Sequence, residues 1–348
     1  MERFVIPDIF CPFPSQVSPY LEQVRQQAQE WIKDFRLIKG ETALRYYLTA
    51  DFPLLTCRAH PRAGLEELFL CCNWYTWVFV FDDQFDDGVA GRQPESMRVI
   101  YDHMLALLQD PPFATPQGPA AESLANIWQR ARRLMPSSVW QRRFIQHHAD
   151  FFAACCRDAE NRVNGHMLDL WDYIDNRRNG GANPIVCDLI ELAGHIQIPD
   201  VISENQVFKA LLRAAHDSMG WTNDVYGLQK ELAHGDTNNL VMVVQQAQNC
   251  SLQEAMDRAC IMLETEMRRF EQLAQSLPPC SPAEVDRDIR HYLVDVGSWI
   301  RGHLEWERMS LRYSEVEYTE LGKSSSYLEE ILPSVEVGQS HASLIPQR

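Results

Sequence analysis

Between Pro136 and Pro184, and again between Pro199 and Pro278, the chain carries no proline. Proline removes a backbone donor and clashes inside a helix, so windows of this length leave room for helices of many turns. Glycine, the other helix-weakening residue, is sparse at 16 of 348, against a usual share of ~7%. Alternating β-branched runs bounded by turn pairs are nearly absent. The chain therefore reads as all-α. The pattern predicts helices over 18–37, 41–48, 62–87, 93–109, 119–134, 139–176, 184–193, 204–233, 237–248, 251–277 and 282–314, with 139–176 holding one helix or two. Ser251 followed by Glu254 has the form of a capping box. No repeat and no internal linker is present, so one helical domain is expected over 18–320. A Pro-rich arm at 1–17 precedes it, and a tail at 321–348 that loses the helical period is expected to be mobile.

The net charge of −16 disfavours a phosphate backbone as partner, so no nucleic acid is expected. The longest uncharged apolar stretch, Leu68 to Phe81, has 14 residues, and a membrane span needs about 20. The N-terminus shows no basic-then-apolar signal pattern. Ten cysteines without a CxxC pair read as reduced core thiols of a cytoplasmic protein. His147-His148 lacks a second metal-spaced partner and reads as a surface or core pair.

The segment from Cys71 to Phe81 is almost wholly apolar and then runs into Asp82-Asp83-Gln84-Phe85-Asp86-Asp87. Such a helix is buried on most sides. Asp82 and Asp86 are four apart, as are Asp83 and Asp87, and each like-charge pair costs roughly 0.2–0.5 kcal/mol even on an exposed helix. The helix C-terminus disfavours anions as well. The cluster therefore calls for a compensating cation, and carboxylate oxygens suit hard ions, above all Mg²⁺. The bland alternative is a solvated acidic helix end. Tyr75, Val78 and Phe79 precede Asp82 by 7, 4 and 3 and share its face.

A second polar stripe lies in Asn223-Asp224-Val225-Tyr226-Gly227-Leu228-Gln229-Lys230-Glu231. Asn223, Gly227 and Glu231 share one helix face. Asn and Gly are both unfavourable inside a helix, Gly by about 1 kcal/mol. Both make sense where the face lines a polar site with room for an ion and its water, and otherwise they describe an ordinary amphipathic helix.

Together the two segments resemble the class I terpene synthases of microbial, sesquiterpene-synthase type, which carry an Asp-rich motif and an N-D-x-x-(S/T/G)-x-x-x-E motif. The resemblance covers roughly residues 10–315. The family has a diphosphate-sensing Arg about 46 residues before the Asn, a position filled by Arg177, followed by Gly180 and Gly181 at a helix break. An Arg-Tyr pair after a Trp is matched by Trp306 and Arg312-Tyr313. The chain departs at position 227, where Gly replaces a hydroxyl that water would have to supply, and at position 180, where Gly replaces a polar linker residue.

The resemblance implies a single-domain helical bundle around a deep apolar pocket. Three Mg²⁺ (or Mn²⁺) would be held by Asp82, assisted by Asp83 or Asp86, and by Asn223 and Glu231, with water at Gly227. Arg177, Asn223, Lys230, Arg312 and Tyr313 would bind diphosphate, and Tyr75, Val78, Phe79, Gly181 and Trp306 would line the pocket. Asp82, Arg177, Gly181, Asn223 and Glu231 carry the implied chemistry. That chemistry is ionisation of a linear prenyl diphosphate, most simply farnesyl diphosphate, and closure of the cation to a sesquiterpene or its alcohol. The substrate of a diterpene cyclase, geranylgeranyl diphosphate, is the main competitor; a chain-elongating prenyltransferase and a non-catalytic scaffold are more remote. A monomer or homodimer is expected.

Overall fold

The computed structural model describes residues 4–86, 90–110, 114–234, 237–310, 312 and 331–332, with backbone alone at residues 42, 86, 90, 233 and 234. Among them are fourteen α-helices and no strand: α1 Leu21–Asp34, α2 Glu41–Ala50, α3 Phe52–Ala59, α4 Leu65–Asp86, α5 Pro94–Gln109, α6 Pro119–Leu134, α7 Ser138–Asn164, α8 Leu170–Gly180, α9 Asn183–Ala193, α10 Asp200–Ser203, α11 Gln206–His234, α12 Leu240–Gln248, α13 Leu252–Ser276 and α14 Ala283–Met309. The all-α expectation holds.

Local chemistry sets the helix ends. Ser251 and Glu254 form the reciprocal capping box. The 139–176 stretch divides into α7 and α8: Gly165, at φ 62°, closes α7 in the left-handed region. Asp169 then caps α8 by accepting from the Trp171 and Asp172 amides at 2.9 and 3.0 Å. Helix α3 is absent from the sequence reading. Its Pro53 sits in the first helical turn, where a proline loses nothing.

The apolar helix α4 forms the centre of the bundle, packed by α1, α3, α6 and α9. Trp74, Tyr75, Trp77, Phe81 and Phe85 are each at most 1% exposed. The Trp77 indole donates to the Ala120 carbonyl at the start of α6, 2.9 Å away. Helix α11 packs on α8, α13 and α14, and α14 crosses α3. Gly302 permits that crossing: a Cβ there would lie 2.5 Å from the Arg58 carbonyl carbon. The arm runs along α13 and α14, with Val5 and Gln253 exchanging two hydrogen bonds of 2.8 and 2.9 Å.

His148 is a core residue, taking the Trp74 N–H at 3.2 Å and bonding the Phe144 carbonyl at 2.8 Å, and His147 pairs with Asp188 at 2.7 Å. No disulfide joins the cysteines, seven of which are buried. Among the described residues no helix is long and apolar enough to cross a membrane. Most of the 321–348 tail lies outside the described residues, but Ile331 is 2% exposed and its carbonyl accepts the Ala120 N–H at 3.1 Å.

Candidate active site

Tyr75, Val78, Phe79 and Asp82 come out along one face of α4 and line a cavity, as their spacing requires. Arg177 and Gly181 from the α8–α9 junction, Gly220 and Asn223 from α11, and Trp299 and His303 from α14 complete its wall. The space, open mouth included, is ≈ 620 Å³. Deep in it the Tyr75 hydroxyl accepts from the Trp299 indole and meets His60 Nε2, both at 2.7 Å. Burial holds the His60 pKa down at about 3, so the ring is neutral. The Tyr75 hydroxyl is thus held by two partners.

Trp306 is placed otherwise than the sequence implies. Its indole donates to the Ala50 carbonyl at 2.6 Å. That bond draws the ring behind Phe79, with centroids 5.6 Å apart, and it does not line the cavity. Trp299, two turns earlier on α14, takes the inward place.

Arg177 is the hub of the mouth. Its Nε donates to Asp224 at 2.8 Å, and its Nη2 donates to Asn223 Oδ1 at 2.7 Å and to the Gly220 carbonyl at 3.4 Å. Burial works against the guanidinium charge, but Asp224, Tyr173 and Glu231 outweigh it and hold the pKa well above the ordinary arginine value. Asp224 is fully buried and also accepts the Tyr173 hydroxyl and the Leu240 N–H. With Gly at 180, Arg177 is thus fixed from α11. Gly181 leaves space for it: a Cβ there would lie 2.8 Å from Asn183 Nδ2, 3.1 Å from the Arg177 carbonyl oxygen and 3.2 Å from Arg177 Nη1. Gly181→Ala is expected to keep the fold, read by circular dichroism, and to lower turnover about 10–100-fold by displacing Arg177.

Asn223 continues the network, donating from Nδ2 to Glu307 Oε1 at 3.0 Å; His303 Nε2 lies 3.0 Å from the same oxygen. Gly227 is buried one turn on. Glu231, a further turn along, accepts from Asn239 Nδ2 at 2.7 Å, and Asn239 also caps α12.

Asp83 is a correction. Rather than standing beside Asp82 at the cavity, its carboxylate is 1% exposed and turned to cations: Arg312 Nη2 at 2.7 Å and Nη1 at 3.0 Å, and Lys230 Nζ at 3.3 Å. Successive residues on a helix point about 100° apart, so only one of the two carboxylates can share the face of Tyr75 and Phe79. Arg312 and Lys230 accordingly hold Asp83. Arg312 also lies over the Phe79 ring at 5.0 Å. The Asp86 side chain, Asp87 and Tyr313 lie outside the described residues.

Asp82, Asn223 and Glu231 offer hard oxygen donors. Asp82 and Asn223 face one cavity, and the Lys230–Asp83 pair joins the helix ends that carry them. The Asn223 amide oxygen accepts from Arg177 Nη2. Among the described residues no three His, Cys, Asp or Glu side chains surround one point. The set therefore fits a cation that brings part of its own shell, water and phosphate oxygens, as Mg²⁺ does, and does not form an all-protein cage.

Sequence reasoning missed Asp224, Tyr173, Asn239, Glu307 and His303. Asp224 sits inside the motif between apolar neighbours, and His303 and Glu307 are four apart on a helix; these were the available signals.

A helical bundle with acidic and amide oxygens opening onto an aromatic cavity defines a class of lyase, and the known proteins agree. Residues 73–269 match the model of terpene synthase family 2, C-terminal metal binding. The chain is 31% identical to germacrene A synthase of Nostoc punctiforme over 322 residues, 92% of this chain and 99% of that one. It is 32% identical to (+)-T-muurolol synthase of Roseiflexus castenholzii over 307 residues, 87% and 92% of the two chains. Among solved structures, hedycaryol synthase in complex with HEPES superposes with a TM-score of 0.76 at 28% identity, covering 88% of this chain and 99% of that one. The chain belongs to the terpene synthase family, and its metal-binding region implies dependence on a divalent cation.

Proposed function

We propose that the protein ionises farnesyl diphosphate and cyclises the resulting cation to a sesquiterpene, releasing diphosphate. The observation that carries this reading is that Asp82, Arg177 and Asn223 open together onto one aromatic cavity. The sesquiterpene products of the similar synthases, and the farnesyl diphosphate named for the Roseiflexus castenholzii protein, support a C15 substrate over a C20 one.

Asp82, Asn223 and Glu231 would hold three Mg²⁺, with water at Gly227. When bound, these ions supply Lewis-acid withdrawal of the leaving group. Arg177 spends Nε and Nη2 on α11, and its Nη1 has no acceptor among the described residues, leaving a donor for a diphosphate oxygen. The aromatic wall of Tyr75, Phe79 and Trp299 excludes water and attracts the cation, by roughly 0.5–2 kcal/mol per ring. The bonded Tyr75 hydroxyl is withheld as a nucleophile.

Incubation with C10, C15 and C20 prenyl diphosphates and Mg²⁺, followed by gas chromatography–mass spectrometry, tests the reading. Cyclic C15 products are expected, and turnover should fall to background with EDTA and return with Mg²⁺. Cyclic products from the C20 substrate alone would move the protein to the diterpene cyclases. Elongation of labelled isopentenyl diphosphate without a cyclic product would refute cyclisation.

A further inference from the structure

The Glu307 side chain is fully buried near the end of α14, four residues after His303. A carboxyl group is expensive to keep away from water, so its contacts call for a reason. Its Oε1 accepts from Asn223 Nδ2 at 3.0 Å and lies 3.0 Å from His303 Nε2. The His303 ring is itself packed against Trp299 at 4.7 Å and stacked near Trp306 at 6.0 Å. Glu307 is therefore a fixed acceptor pressed against one residue of the cavity wall, Asn223.

That contact decides how the Asn223 amide stands. An Asn side chain has two orientations of nearly equal shape, which exchange its oxygen and its NH₂ group. Here the amide lies between Arg177 and Glu307. A guanidinium can only donate, so the edge toward it is the oxygen, 2.7 Å from Nη2. The opposite edge is the NH₂, which meets the Glu307 acceptor. The two partners come from α8 and α14, and both demand the same orientation. An apolar residue at 307 would remove the acceptor and with it one of these two restraints.

We propose that Glu307 is a positioning residue for Asn223: it takes the amide N–H and so keeps the oxygen edge on the Arg177 side. This rests on the function proposed above, in which Asn223 helps to hold Mg²⁺, and deepens it by naming the residue that orients that ligand. A hard cation uses an amide oxygen and is repelled by an amide NH₂. Partners that orient a metal ligand from behind are typically worth about 10–100-fold in metal affinity or activity. Glu307 acts through Asn223 and needs no contact with ion or substrate.

The test measures Mn²⁺ binding by electron paramagnetic resonance in the presence of inorganic diphosphate, which needs no turnover. The proteins are the wild type, Glu307→Met, Glu307→Gln, Asn223→Ala and the double variant Asn223→Ala/Glu307→Met. Glu307→Met should raise the Mn²⁺ concentration at half-occupancy about tenfold or more. Glu307→Gln keeps an oxygen that accepts the Asn223 NH₂ and should bind close to the wild type. In the Asn223→Ala background the Met substitution should add nothing, since its effect passes through the amide. Circular dichroism checks folding; should the Met variant not fold, Glu307→Ala removes the same acceptor and gives the same comparison. Unchanged Mn²⁺ binding in the folded Met variant would overturn the proposal. A Gln variant as weak as the Met variant, or an equal loss in the Asn223→Ala background, would overturn it too. A wild type that binds no Mn²⁺ with diphosphate, or binds it as well without the Asn223 amide, would instead remove the metal role of Asn223 beneath it.

Discussion

Arg177→Met should lower the rate of diphosphate release by about 10³-fold, the scale for losing a donor aimed at developing negative charge. It should also destabilise the fold by roughly 3–5 kcal/mol, because Asp224 is left buried without its cation. The two effects separate in the double variant Arg177→Met/Asp224→Leu, which removes both charges. Replacing a whole buried pair by apolar groups is often neutral, so stability should largely return while turnover stays low. Urea unfolding and a diphosphate-release assay on the three proteins decide the matter. Turnover by Arg177→Met within tenfold of the wild type would exclude Arg177 from the chemistry.

Neighbouring aspartates should respond in opposite ways. Asp82→Asn removes a carboxylate that faces the cavity, and turnover should fall about 10²–10³-fold with little change in the unfolding midpoint. Asp83→Asn strips the countercharge from Arg312 and Lys230, whose side chains are 7% and 12% exposed. Stability should then drop by roughly 3–5 kcal/mol, the scale for breaking one side of a buried pair. Thermal melts beside turnover separate the roles. An Asp83→Asn protein that melts like the wild type yet has lost turnover would return Asp83 to the metal ligands.

Much of this molecule is legible in its sequence, for identifiable reasons. Periodicity is a local property, so the helices and the inward face of Tyr75, Val78, Phe79 and Asp82 follow from counting. The placing of Arg177 near Asn223 was also accessible, because the separation of the two matches a family pattern. What could not be read was how each charge is matched. Asp83 looks like Asp82 until Arg312 is known to reach it from a site 229 residues away. Trp306 is expected in the wall from the family pattern, and the Ala50 carbonyl draws it back. Glu307 carried no motif; its bond to Asn223, 84 residues away, sets it apart.

The contact between Ile331 and Ala120 bears on where the folding unit stops. Ala120 lies in the first turn of α6, whose amides have no acceptor within the helix. The Ile331 carbonyl serves one of them, and Ala120's own carbonyl holds the Trp77 indole of the central helix. A chain trimmed after 320, where helical pattern fades, would strand that amide and bare an apolar hollow beside it. Periodicity marks the last helix, yet the carbonyl of Ile331, beyond it, answers a buried donor of the bundle.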